Sequence, residues 1–214
     1  MERIWGKKPL SLNTFELNIK MAAYPHCLID IGTGDGRFVQ HTARQQPDWF
    51  CIGIDACREN LHKTSQKAPI NALYLIASAQ ALPAALNERA NRITINFPWG
   101  SLLESLLQGN PALLDGLERL AQSDTRLEIR LNGGALARAG WGLEAGAGQV
   151  YEILCAAGWK AKPPIALEDQ DLRAFPSTWA KRLAFGRDPR AMLIEGQYLP
   201  IPKVETRGYF EFAL

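Results

Sequence analysis

The sequence predicts a doubly wound α/β fold on a mainly parallel, seven-stranded sheet, with a short hairpin extension at the N-terminus. Three observations carry that expectation. Short, nearly uninterrupted apolar runs alternate with longer amphipathic ones, the pattern of strands covered by helices on both faces. Three alternating glycines, Gly32, Gly34 and Gly36, follow the first such run at the point where strand should turn into helix. Finally, 214 residues that are 47% hydrophobic and 21% charged suit one domain spanning 1–214, with 1–25 as the hairpin extension.

Taken in order, the first strand is expected over 27–31 and its sheet partners over 50–55, 73–77, 92–97 and 126–131. The segments 37–46, 59–67, 101–108 and 112–123 between them read as helices, and 149–157 repeats the pattern with Gly158 as its stop. The stretch 132–148, rich in Gly and Ala, reads as a flexible connection. Ser177 is a fitting N-cap and Gly186 a fitting stop for one more helix. The segments 191–198 and 209–212, flanking a loop with Pro200 and Pro202, read as the last two strands, antiparallel to the rest.

Composition narrows the function classes. The first dozen residues carry Glu2, Arg3, Lys7 and Lys8 and no apolar core of the kind a signal peptide needs, and no stretch approaches the roughly 18 apolar residues of a membrane helix. A cytoplasmic protein with no membrane partner is expected. Cys27, Cys51, Cys57 and Cys155 lack C-x-x-C spacing, so they read as reduced packing residues, with no metal site. A net charge of +2 does not mark a nucleic-acid partner, but its distribution can. Cations cluster at Arg3, Lys7 and Lys8, at Arg58, Lys63 and Lys67, and at Lys181, Arg182, Arg187 and Arg190.

The glycine loop defines a ligand. A dinucleotide enzyme wants G-x-G-x-x-G, which leaves the helix N-terminus clear for a pyrophosphate; here the sixth place is Arg37. The carboxylate of Asp30, just before the loop, would repel a pyrophosphate but suits the ammonium of a methionine moiety. Asp55 comes 21 residues after Gly34, at the end of the second strand, where a carboxylate can accept from both hydroxyls of a ribose. Ala79 and Gln80 follow the third strand, where such folds seat an adenine ring. These residues point to S-adenosylmethionine.

Two segments speak to the acceptor. The fourth strand ends in N-F-P-W-G, from Asn96 to Gly100. Enzymes that methylate an exocyclic amine commonly carry N-P-P-Y or D-P-P-Y here, so Phe97 in the first proline's place disfavours that chemistry. Trp99 offers a stacking face for an extruded base. Downstream, Trp179 is followed within about one turn by Lys181 and Arg182, an aromatic beside cations that can grip a flipped nucleotide and its phosphates.

Together, the loop from Asp30 to Arg37, the run Ile52 to Asp55, Asn60 and Leu61, the stretch Ala79 to Pro83, the run Phe97 to Glu104 and the run Ser177 to Arg187 resemble the 16S ribosomal RNA adenine-1408 N1-methyltransferases that confer aminoglycoside resistance. The likeness is collinear from about Leu28 to Arg190, and its most specific parts are the F-P-W-G and W-A-K-R-L-A-F-G-R segments. It implies a class I methyltransferase (Rossmann-like) domain whose substrate is the decoding-site adenine of helix 44 in the 30S subunit, flipped out and held between Trp99 and Trp179. The resemblance further implies that Asp30, Gly32, Asp55, Ala79, Gln80, Asn96 and Ser101 line the cofactor site, with Gly34 and Gly36 completing the loop and Ser177 near the methyl group and the base. Lys63, Lys67, Arg182 and Arg187 would meet RNA phosphates beside Lys181, while Arg190 stands where relatives carry a second arginine closer behind the Gly-Arg pair. Gln80 stands where relatives often carry Glu. A large ribosomal substrate makes a monomer the simplest expectation. On the residues alone, a methyltransferase of the same fold acting on another RNA, such as a transfer RNA base, remains the alternative.

Overall fold

The computed structural model describes residues 1–177 and 190–200. The chain opens on a hairpin, β1 (Glu2–Trp5) and β2 (Lys8–Ser11). Helix α1 (Thr14–Met21) begins at a reciprocal cap in which the Asn13 side chain accepts from the Glu16 amide and the Glu16 carboxylate accepts from the Asn13 amide. Strand-helix units follow: β3 (His26–Ile31) with α2 (Arg37–Gln45), β4 (Trp49–Asp55) with α3 (Arg58–Ser65), then β5 (Ala72–Ile76), and β6 (Ala90–Asn96) with α4 (Gly100–Leu107) and α5 (Pro111–Leu120). The long β7 (Ala121–Asn132) leads into α6 (Gly133–Arg138) and α7 (Leu143–Ala156). Short β8 (Trp159–Ala161) and β9 (Ile165–Leu167), α8 (Asp169–Ala174) and β10 (Ala191–Tyr198) complete the described elements.

The strands form one sheet in the order β2-β1-β5-β4-β3-β6-β7-β10-β8, with β9 also paired to β10. From β5 to β7 every pairing is parallel, while β10 runs antiparallel to β7, β8 and β9. The sheet therefore has ten described strands where seven were expected. The run β5-β4-β3-β6-β7-β10-β8 accounts for seven; the hairpin joins the β5 edge through β1, and β9 is a second short piece beside β10. The expected strand 209–212 lies outside the described residues.

Two further expectations change. The stretch 132–148 is not a loose connection but holds α6 and the start of α7. Asn132 caps α6 by accepting from the Ala135 amide at 2.8 Å, and the alanines that follow have the highest helix propensity of any residue. Helix α5 ends at Leu120, and β7 begins at once at Ala121. Of the four cysteines, Cys27 and Cys51 are buried in the sheet, whereas Cys57 and Cys155 are exposed.

Both sheet faces are packed. Along β3 the side chains alternate: Cys27, Ile29 and Ile31 join a core beneath α4, α5 and α7, while Leu28 joins Phe38, Val39, Leu61 and Tyr74 on the α2 and α3 side. Tyr74 ties this second layer to the loop after β3, because its buried hydroxyl donates to the Gly36 carbonyl at 2.9 Å. Tyr74→Phe is expected to cost about 1 kcal/mol, and so to lower Tm by about 2–4 °C in a melt followed by circular dichroism. An unchanged melting temperature would show that this bond contributes nothing.

Candidate functional site

The carboxyl ends of β3, β4, β5 and β6 open on one crevice, the usual ligand position of such a sheet. After β3 the backbone turns sharply, with Gly34 at φ +57° and Gly36 at φ +69°, a region costly for any residue with a Cβ. Asp55 fastens this turn from the next strand. Its carboxylate accepts from the Gly34 amide at 2.7 Å and from the Cys57 amide at 2.8 Å, with the Asn60 side chain at 3.4 Å. Burial pushes its pKa up, against those bonds, which pull it down. Each carboxylate oxygen has two lone-pair sites, so acceptor capacity remains on the side that faces the crevice.

The resulting cavity, about 340 Å³, brings together Asp30, Gly32, Gly34, Asp55, Ala79, Gln80, Asn96, Trp99, Ser101 and Ser177. Of the cofactor residues expected from the sequence, Gly36 stands outside the lining. It is the N-cap of α2, and a Cβ there would come within 2.5 Å of the Tyr74 ring. Gln80 is held by side chains: its amide nitrogen donates to Ser105 at 2.7 Å and its oxygen accepts from Ser78. A glutamate could not make the first of these bonds while ionised.

Asp30 is 1% exposed, and it accepts from the Thr94 hydroxyl at 2.6 Å and the Asn96 amide at 2.8 Å. Burial pushes its carboxyl up to about 6, against hydrogen bonding and the positive field of Arg130. Arg130 extends the network, donating to the Asn96 carbonyl oxygen at 3.0 Å and pairing with Glu128 at 2.8 Å, which Arg92 also grips.

The turn after β6 aims Trp99 at the cavity. Phe97 sits at φ +54°, strained for a residue with a side chain, and its amide donates to the Arg130 carbonyl at 2.8 Å. Its ring meets Phe175 edge-on at 5.3 Å, while Phe175 stacks on Phe38 at 5.2 Å and lies under the Arg130 guanidinium at 5.1 Å. This cluster anchors the start of the segment that carries Ser177 to the cavity wall. The half-buried Trp99 ring lies 5.0 Å below the Arg138 guanidinium. Phe38, Arg130 and Arg138 were not singled out from the sequence, and Phe175 only as the first residue of the segment that leads to Ser177 and Trp179.

The expected RNA contacts divide. Lys63 and Lys67 line a second cavity that shares Ser177 with the first. Arg190 does not line that cavity: it lines another with Glu144, Glu168 and Asp169, and its guanidinium is 3.9 Å from Glu144. Trp179, Lys181, Arg182 and Arg187 lie outside the described residues.

Residues 2–198 match the family model described as NpmA: 16S rRNA (adenine(1408)-N(1))-methyltransferase. An Escherichia coli protein named 16S rRNA (adenine(1408)-N(1))-methyltransferase is 31% identical over 212 residues, covering 89% of this chain and 95% of that protein. A Streptoalloteichus hindustanus protein of the same name is 30% identical over 204 residues, covering 88% of this chain and 94% of its own length. The solved structure of the 16S rRNA methyltransferase KamB superposes with a TM-score of 0.84 at 26% identity, over 94% of this chain and 100% of that one. With the same fold and a family match from residue 2 to residue 198, this chain belongs to the family of 16S rRNA (adenine(1408)-N1)-methyltransferases.

Proposed function

We propose that this protein transfers the methyl group of S-adenosylmethionine to N1 of adenine 1408, in helix 44 of 16S rRNA within the 30S subunit, and thereby gives aminoglycoside resistance. It acts in the cytoplasm, as a monomer and without a metal; no described helix is long and apolar enough to cross a membrane. The observation that carries the reading is the cavity itself, where two carboxylates from adjacent strands, Asp30 and Asp55, share one wall system with Trp99 and Ser177.

The residues present fit this cofactor. The buried Asp30 carboxylate would answer the ammonium of the methionine moiety, Asp55 would answer the ribose hydroxyls, Ala79 and Gln80 would border the adenine, and Ser101 would complete the lining. Bound there, the cofactor supplies a methyl group activated by a sulfonium. The target nitrogen has a lone pair in the ring plane, so no general base is needed. Trp99 and Trp179 hold the extruded base, Ser177 borders it, and the rigid F-P-W-G turn fixes its angle. Alignment of this kind can supply about 7 kcal/mol or more of the barrier reduction.

Asp30 gives the reading a pH signature. With its carboxyl near 6, cofactor affinity should rise as pH increases through that value and fall about tenfold between pH 7 and pH 5. In the free protein the sign reverses: burying the ionised form opposes folding, so stability should drop by about 3 kcal/mol as pH rises from about 4 to 6. Calorimetric titrations across this window check the first effect, and a wild-type profile as flat as that of Asp30→Asn would remove Asp30 as the ammonium partner. Incubation with methyl-labelled cofactor tests the activity: label is expected in the 16S rRNA of 30S subunits, and label in transfer RNA alone would move the substrate.

A further inference from the structure

Next to the cofactor cavity lies a larger cleft of about 600 Å³, and Ser177 belongs to the walls of both. Its sides are two helices. Arg37, His41 and Arg44 stand at i, i+4 and i+7 of α2, one stripe of a helix whose opposite face buries Phe38, Val39, Thr42 and Ala43. Across from it, Lys63 sits in the last turn of α3 and Lys67 two residues past its end. Among the described residues, no carboxylate lines this cleft.

The walls are tied to each other. The Gln40 side chain donates to the Lys67 carbonyl at 2.8 Å, and the Thr64 hydroxyl donates to the Asp35 carbonyl. Arg37 pairs with Asp35 at 3.5 Å, but among the described residues no carboxylate lies within ion-pair distance of Arg44, Lys63 or Lys67. A chain with a net charge of only +2 therefore holds two facing rows of cations at a fixed spacing. Their mutual repulsion is relieved by an anion that carries several charges in a row.

The position of the cleft selects among such anions. A nucleotide whose base enters the cofactor cavity must leave its neighbouring phosphates just outside the rim, and at Ser177 the space just outside is this cleft. The α2 stripe extends about 10 Å along the helix, enough for more than one phosphate. We propose that α2 is an RNA-binding wall: the phosphodiesters adjoining the target adenosine lie between Arg37, His41 and Arg44 on one side and Lys63 and Lys67 on the other. The inference rests on the ribosomal reading above and adds to it a helix that had no assigned contact.

The test is the salt dependence of binding to purified 30S subunits. For Arg37→Ala/Arg44→Ala, the slope of log affinity against log salt should fall by about 2 and KM for 30S subunits should rise about tenfold, while in Arg44→Ala the calorimetric affinity for S-adenosylmethionine stays at the wild-type value. Arg44→Ala alone, remote from the glycine loop, should lower the slope by about 1, and Arg44→Lys should restore it. If wild-type protein binds and methylates 30S subunits but both alanine variants keep its slope and KM, the α2 wall is wrong and the ribosomal reading stands. If wild-type protein neither binds nor methylates 30S subunits, the ribosomal reading itself fails.

Discussion

Replacing Trp99 by alanine is expected to lower kcat/KM for 30S methylation on the order of 5- to 150-fold while leaving cofactor affinity nearly unchanged. The range is the 1–3 kcal/mol that stacking contributes per base, roughly what must offset the unstacking of a flipped nucleotide. Trp99 is suited to this because its position is over-determined. The strained Phe97 backbone, the Phe97–Phe175 edge contact and the Arg138 guanidinium above the indole hold the ring at the cavity wall before any substrate arrives. Trp99→Phe should keep most of the activity, since an aromatic face remains. Trp179→Ala, at the partner position expected from the sequence, should behave like Trp99→Ala. Single-turnover assays with 30S subunits measure both, and a wild-type rate in Trp99→Ala would end the stacking account.

Asp55→Ala should do the reverse, weakening S-adenosylmethionine binding by about 100-fold or more. The loss has two sources. The ribose hydroxyls lose their acceptor, and the Gly34 and Cys57 amides lose bonds of 2.7 and 2.8 Å that shape the loop around the ligand. Hydrogen bonds to an ionised group each contribute about 1.5–3 kcal/mol, so two or three lost together exceed the effect of any single neutral contact. Asp55→Asn should fall between, because an amide keeps one acceptor oxygen but turns a donor toward the other amide. Calorimetry reads the result directly, and an unchanged dissociation constant would take Asp55 out of the site.

The parallel centre of the fold was legible because each of its strands is a short apolar run ended by a turn, and because a strand buried on both faces needs little else. The meeting of the candidate residues was legible for a related reason: Asp55 and Asn96 end their strands and Asp30 is one residue from the end of its own, so their places along the chain already imply that they line one cavity. Other features depend on contacts that no local pattern encodes. Strands β8 and β9 have three residues each, too few to display a period, and gain their identity only by pairing with β10. The glycines between 132 and 148 suggested mobility, yet Gly146 lies where a side chain would strike Leu136, so its smallness serves helix packing. Gly36 serves Tyr74, 38 residues away, rather than the ligand cavity. Arg190, placed just before β10, is 3.9 Å from Glu144, a pairing that no local pattern in the sequence encodes.

The most direct measurement of the central claim is a primer-extension scan of 16S rRNA from 30S subunits incubated with the purified protein and S-adenosylmethionine. A methyl on N1 blocks the pairing edge of the base, so the account predicts a single new stop at adenine 1408 that requires the cofactor and disappears with Trp99→Ala. Subunits that take up label yet give no stop there, or a stop at a different base, would contradict it.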